Sequence, residues 1–154
     1  MKVEIVEFPP TRVAMISHSG PPEREHETAR KLIAWKLQQG LRDPLHHRSY
    51  GVHHFDPAKP HEYPRRVDFC VSIDQAVAAN AFDIVEALIP RQRCARCRDL
   101  GSRENNQAAR HLAFEWLPGS GERASGAPLI FHYVNVGPTV LPHEAITDVY
   151  LPLA

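Results

Sequence analysis

Val67, Phe69, Val71 and Ile73 alternate with Asp68, Cys70 and Ser72, the period of two that marks a strand with one buried face. Shorter extended runs stand before it: Val3, Ile5 and Phe8, then Val13, Ala14, Met15 and Ile16, are two strands parted by Pro9-Pro10 and predicted to form a hairpin. Gly20-Pro21-Pro22 followed by Glu23, Glu25 and Glu27 is a helix start, because proline fits the first turn and carboxylates favour the positive end of the helix dipole. Ala29, Leu32, Ile33 and Leu37 then form an apolar stripe that ends at Gln39-Gly40, with Trp35 on its flank. An extended stretch from His46 to Phe55 and a proline-bounded loop over 56–64 lead into the Val67–Ile73 strand.

After a connection over 74–81 the same order returns. Ile84 to Leu88 and Arg93 to Arg98 are a second predicted hairpin; Ala108, Ala109, Leu112, Ala113, Trp116 and Leu117 form a helical stripe with Trp116 at its centre; Pro118-Gly119 stops it. Ile130–Val134 and Thr147–Leu151 are the last strands. The likeness extends to individual residues at an offset of about 80: Pro9, Arg12 and Ala14 fall on Pro90, Arg93 and Ala95, Trp35 on Trp116, Val52 on Tyr133, Pro57 on Pro138 and Asp68 on Asp148. Two copies, about 1–73 and 82–153, are read within one domain spanning 1–154. The expected fold is α+β: two pseudo-twofold-related strand-helix-strand-strand modules building an antiparallel sheet with two main helices.

Composition narrows the function classes. Eighteen basic and eighteen acidic side chains cancel, which leaves no global field for nucleic acid or an anionic membrane. No apolar run approaches the ~20 residues that cross a bilayer, and the glutamates of MKVEIVEF stand where a signal peptide needs apolar residues. A cytoplasmic protein is expected. Cys70, Cys94 and Cys97 are an odd number, which fits buried free thiols. Cys94 and Cys97 would project to opposite faces of a strand, against a metal or redox pair.

Candidate chemistry is sparse. His46-His47 and His53-His54 invite a metal, but neighbouring strand residues point apart and no carboxylate stands at a ligand spacing, so no metal site is expected. Arg91, Arg93, Arg96, Arg98 and Arg103 concentrate positive charge without a helix-turn-helix or RNA-stacking motif, which reads as a solvated strand face paired to acids. No serine stands in a GxSxG elbow, and no catalytic residue or cofactor is assigned. The remaining signal is aromatic. Tyr50 and Val52 match Phe131 and Tyr133, each pair two apart on one strand face, with Trp116 packing near them.

Tyr50-Gly51-Val52-x-x-x-Asp56-Pro57, Arg66-x-Asp68-x-Cys70-Val71, Glu115-Trp116-Leu117-Pro118-x-Ser120-Gly121 and Thr147-Asp148-Val149-Tyr150-Leu151-Pro152-Leu153 resemble the GyrI-like small-molecule-binding family. That family takes in the DNA gyrase inhibitor SbmC and the effector-binding domains of AraC-type and MerR-type multidrug regulators. The resemblance covers essentially the whole chain and implies a ligand pocket where the two modules meet, with Tyr50, Trp116, Phe131 and Tyr133 as its lining. The chain starts at its first strand and looks like the stand-alone form. Many members that bind cationic drugs have a glutamate two residues before the tyrosine equivalent to Tyr133; Phe131 stands there instead, and a buried cation then lacks its charged partner.

The expected function is binding of an aromatic or amphipathic small molecule, to sense or sequester it. The alternatives are a gyrase-inhibitor-like contact with DNA gyrase through the arginine-rich face, and hydrolysis of strained cyclopropane-containing toxins, which some relatives perform. The last needs a carboxylate beside the aromatics, for which Glu115 is a poor substitute.

Overall fold

A computed structural model describes residues 1–54 and 65–154; the loop expected over 56–64 lies outside them. The strands are β1 (Val3–Phe8), β2 (Thr11–Gly20), β3 (Ser49–His54), β4 (Arg65–Ser72), β5 (Val85–Ile89), β6 (Gln92–Leu100), β7 (Leu129–Tyr133) and β8 (Ile146–Pro152). All pair antiparallel in one sheet of order β1-β6-β8-β7-β3-β4-β2-β5. Exchanging β1–β4 with β5–β8 turns this order into its own reverse, so the two modules are related by a pseudo-twofold axis between β3 and β7; each is strand-strand-helix-strand-strand, one strand more than the expected strand-helix-strand-strand unit.

Neither expected hairpin forms. β1 pairs with β6 of the other module, and β5 pairs with β2. The links explain why. A two-residue hairpin loop needs a type I′ or II′ turn with positive φ at its first position, and proline holds φ near −65°. Pro9-Pro10 and Pro90-Arg91 therefore carry each chain onward into the opposite half.

Helix α1 (Glu25–Gln38) follows a 3₁₀ turn, Pro22–Arg24. It ends in a Schellman motif: Gly40 takes φ +73°, its N–H donates to Leu37 O at 3.1 Å, and Leu41 N–H donates to Lys36 O at 3.0 Å. The inward stripe is half-buried Thr28 with buried Leu32 and Trp35, whereas Ile33 and Leu37 face solvent. This corrects the expected stripe: Glu25, Thr28 and Lys36 are polar residues on the inward side, and they hide the period from an apolar count. Trp35 packs with Leu32, Ala14, Ile16, Val71 and Ile84.

The second helix, 107–120, is α-helical over α2 (Gln107–Arg110), π-helical over His111–Trp116 and α-helical again over α3 (Leu117–Ser120). Buried Asp99 of β6 anchors its start, accepting from Ala108 N–H at 3.2 Å. His18 of β2 does the like for α1: Nε2 donates to Pro21 O at 3.0 Å, so Nδ1 accepts from the Thr28 hydroxyl at 2.8 Å.

β4 is buried on both faces, not one: Val67 and Val71 face the helices, and Asp68, Cys70 and Ser72 are buried on the other side. A central strand between β3 and β2, covered above and below, has no solvent face. Phe8, Tyr50, Cys70, Cys94 and Ile130 form the core of the helix-free side. Among the described residues no helix is long and apolar enough to cross a membrane.

Candidate functional site

α1 packs on β2 and β4, and the second helix packs on β6 and β8, which leaves the central β3–β7 pair between them. Gly51 stands opposite Phe131 there, with His53 opposite Leu129 and Ser49 opposite Tyr133. These residues face the helices. The pseudo-twofold relates Gly51 to Phe131, because Val52 opposite Asp68 corresponds to His132 opposite Asp148. The residue matching placed Val52 on Tyr133, one position further on. A one-residue slip in a strand exchanges its faces, and this decides which aromatics meet.

Three of the four expected residues come together. Phe131 is buried with Leu112, Leu129 and Val149, and Trp116 and Tyr133, both half-buried, pack against that cluster. Tyr50 is not with them. Its register partner is His132, so its ring lies on the helix-free side, edge-on to Phe8 with centroids 5.7 Å apart. There Arg48 Nε donates to its hydroxyl at 2.7 Å.

In Tyr50's place stands His53, which the sequence left among exposed strand histidines. Its ring tilts over Phe131 at 4.2 Å between centroids, and its Nε2 lies 3.3 Å from the Tyr133 hydroxyl. The Tyr133 ring reaches across β3 because Gly51 has no side chain; a Cβ there would collide with the Tyr133 hydroxyl. Burial pushes the Tyr133 phenol up, so it remains a neutral hydrogen-bonding group.

Arg103 closes one end. Its guanidinium stands 5.2 Å from the Tyr133 ring centroid, within cation–π range. Among the described residues its hydrogen-bond partners are neutral oxygens: Thr147 Oγ1 at 3.0 Å, Asn135 O at 2.8 Å and Ile146 O at 3.2 Å. Burial lowers its pKa. Among the described residues, a carboxylate whose field reaches Tyr133 is Glu25, at the first turn of α1. Glu115 points outward, 74% exposed, and accepts from His111 at 2.8 Å. Arg103 and Glu25 come from loop and helix ends that strand periodicity does not reach; the His53 position was recoverable only from the Gly51–Phe131 register.

The other candidate groups take structural places. Arg93 makes a two-pronged pair with Glu122 at 2.8 and 2.7 Å, and Arg98 another with Asp148 at 2.7 and 3.0 Å. Arg96 pairs with Glu4 at 2.8 Å and Arg91 with Glu7 at 3.3 Å. Cys94 and Cys97 lie on opposite faces in separate clusters, and burial raises the Cys94 thiol to about 11 and the Cys70 and Cys97 thiols likewise upward. The histidine reading needs one correction. His46 and His47 lie in a turn, not a strand, so their rings do not diverge: the centroids are 4.5 Å apart, beside Asp74.

The helix-free face holds a cavity of about 200 Å³ lined by Val13, Met15, Val52, Cys70, Ile89 and Ile130, with His54 and Asp68 at its polar end. Tyr50 does not line it.

Comparison with known proteins agrees with this architecture. The model of the GyrI-like small molecule binding domain matches residues 1–154. The chain is 32% identical to the probable transcriptional regulator YgiV of Escherichia coli K12 over 155 residues, covering all of this chain and 97% of that protein. The crystal structure of the EcmrR C-terminal domain superposes with a TM-score of 0.75 at 15% identity, over 99% of this chain and 97% of that one. SAV2435 bound to tetraphenylphosphonium superposes with a TM-score of 0.59 at 10% identity, over 100% and 94%. At those identities the two structures speak for the fold. With the family model spanning the chain and YgiV matched end to end, the protein belongs to the GyrI-like small-molecule-binding family.

Proposed function

We propose that this protein binds a neutral aromatic or amphipathic small molecule in the groove over the Gly51–Phe131 pair, and thereby senses or sequesters it. The observation that carries this reading is Phe131 at the pseudo-twofold, flanked by Trp116 and Tyr133. Aromatic faces offer stacking and apolar area to a flat ligand, while His53 and the Tyr133 hydroxyl supply polar contacts that orient it. Arg103 over the Tyr133 ring occupies the electrostatic position a cationic ligand would use. A cation entering beside it would meet like charge and lose several kcal/mol of hydration, against a cation–π gain of about 0.5–2 kcal/mol. Duplication of one ancestral module accounts for a site on the pseudo-axis.

The reading is tested by titrating a neutral aromatic dye and tetraphenylphosphonium, the ligand carried by SAV2435, into wild type and Phe131→Glu. Wild type should bind the neutral dye at least about tenfold more tightly, and the glutamate should invert that order. Tighter binding of the cation by wild type, unchanged by the substitution, removes Phe131 from the site. Neither alternative gains an observation. In the Arg93 to Arg103 face proposed for a gyrase contact, Arg93, Arg96 and Arg98 each have an acidic partner and Arg103 lies over the Tyr133 ring, while Glu115 faces solvent and pairs with His111.

A further inference from the structure

Away from the groove, the described residues bring one set of metal-ligating side chains together. His46, His47 and Asp74 each offer one donor atom, and the three donors lie within 4.8 Å of one another. The scaffold that holds them is fixed by the end of β4. Ser72 N–H donates to Arg48 O at 2.9 Å, Arg48 N–H donates to Ser72 Oγ at 2.8 Å, and Ser72 Oγ donates to His46 O at 3.2 Å. Asp74 follows two residues later, with its Oδ2 2.5 Å from His46 Nε2.

His47 supplies an independent observation. Its Nδ1 lies 2.9 Å from the Ser72 carbonyl oxygen. A carbonyl only accepts, so Nδ1 carries a proton, and the neutral ring then keeps its lone pair on Nε2. A backbone carbonyl on the non-ligating nitrogen is the outer-shell arrangement that orients metal-bound histidines. Beside the triad opens a second cavity of about 200 Å³, lined in part by Trp35, Gln39, Leu41 and Ile73 together with His47 and Asp74. It gives an ion a path in and leaves room for coordinated water.

We infer that His46, His47 and Asp74 bind a divalent transition-metal ion, with zinc the best match. Two imidazoles and one carboxylate, completed by water, are a donor set zinc accepts with an open position; Ni²⁺ and Cu²⁺ suit the same nitrogens. Arg12 does not compete for the carboxylate: it reaches the Asp74 backbone carbonyl at 3.4 Å and pairs with Glu86 at 3.2 Å. The proton now held between His46 Nε2 and Asp74 is released to solvent as the ion takes its place.

The test is isothermal titration of the full chain with zinc chloride in a non-coordinating buffer. One zinc per chain is expected. His47→Ala and Asp74→Asn, the latter nearly isosteric, should each weaken binding at least about tenfold, and His26→Gln on the exposed side of α1 should leave it unchanged. Circular dichroism on each variant verifies that the fold persists. Less than one zinc per chain, or affinities within twofold of wild type in both site variants, overturns the inference. Copper gives a reading on an intact site. Trp35 lines the same cavity, so one equivalent of Cu²⁺ should quench its emission in Trp116→Phe protein; quenching only at large excess counts against the site.

Discussion

The two helices lie on one sheet in symmetric places, yet their tryptophans have opposite fates. Trp35 is 5% exposed and sealed among Leu32, Ala14, Ile16 and Val71. Trp116 is half-buried at the end of a π-helical segment and meets Phe131 and Tyr133 from the side of the groove. The π-helical segment also sets this helix apart from α1, and such segments interrupt the regular ladder. One half of the molecule therefore spends its indole on stability, and on the proposed reading the other keeps one for contact.

The largest test of that contrast is truncation. Trp35→Ala should cost about 3–5 kcal/mol, as removal of a buried aromatic does, and Trp116→Ala about 1 kcal/mol; urea unfolding midpoints decide, and equal losses would erase the distinction. Next comes acid. Burial would raise the Asp68 pKa, but hydrogen bonds from Ser17, His54 and Arg66 at 2.6, 2.7 and 3.0 Å outweigh it, and the net shift is downward. A carboxyl depressed in the folded state stabilises above its unfolded value, ~3.9, and that stability drains as pH falls through the folded value. Wild type should thus lose stability below about pH 4, and Asp68→Asn should lose about 2 kcal/mol at pH 7 and show a flatter acid limb in the same unfolding measurement.

A subtler variant acts on the groove. Gly51→Ala should push the Tyr133 hydroxyl aside and weaken ligand binding about tenfold for a loss of about 1 kcal/mol in stability. Calorimetric titration with the neutral dye measures the first and urea melts the second. The smallest effect is optical: the dye should change the emission of Trp35→Phe protein, which retains Trp116, and leave that of Trp116→Phe protein nearly unaltered. A signal that follows Trp35 would move the site to the other half.

Most element positions were legible from periodicity, because strands and helices with one covered side leave a pattern. Gly40 marked the end of α1, and the Gly20-Pro21-Pro22 start stood where the 3₁₀ turn begins. What escaped was relational. Pro9-Pro10 reads as a turn in sequence, and only the required sign of φ shows that it cannot close a two-residue hairpin. Tyr50 and Phe131 look equivalent, and only the ladder places Gly51 opposite Phe131. The His46-His47 turn was masked by treating 46–55 as extended, although Asp43-Pro44 stands just before it.

The exchange of outer strands also sets a timetable for synthesis. Val3 of β1 pairs with Cys97, so the first strand leaves the ribosome and waits for a partner nearly a hundred codons downstream, roughly 5–20 s at about 5–20 residues per second. During that interval β1 is an orphan edge, the kind of segment that recruits other chains. Lys2, Glu4 and Glu7 charge it on both sides throughout the wait. Glu4 and Glu7 later find Arg96 and Arg91, so the carboxylates that help keep the nascent strand solitary become the ones that register it when β6 arrives.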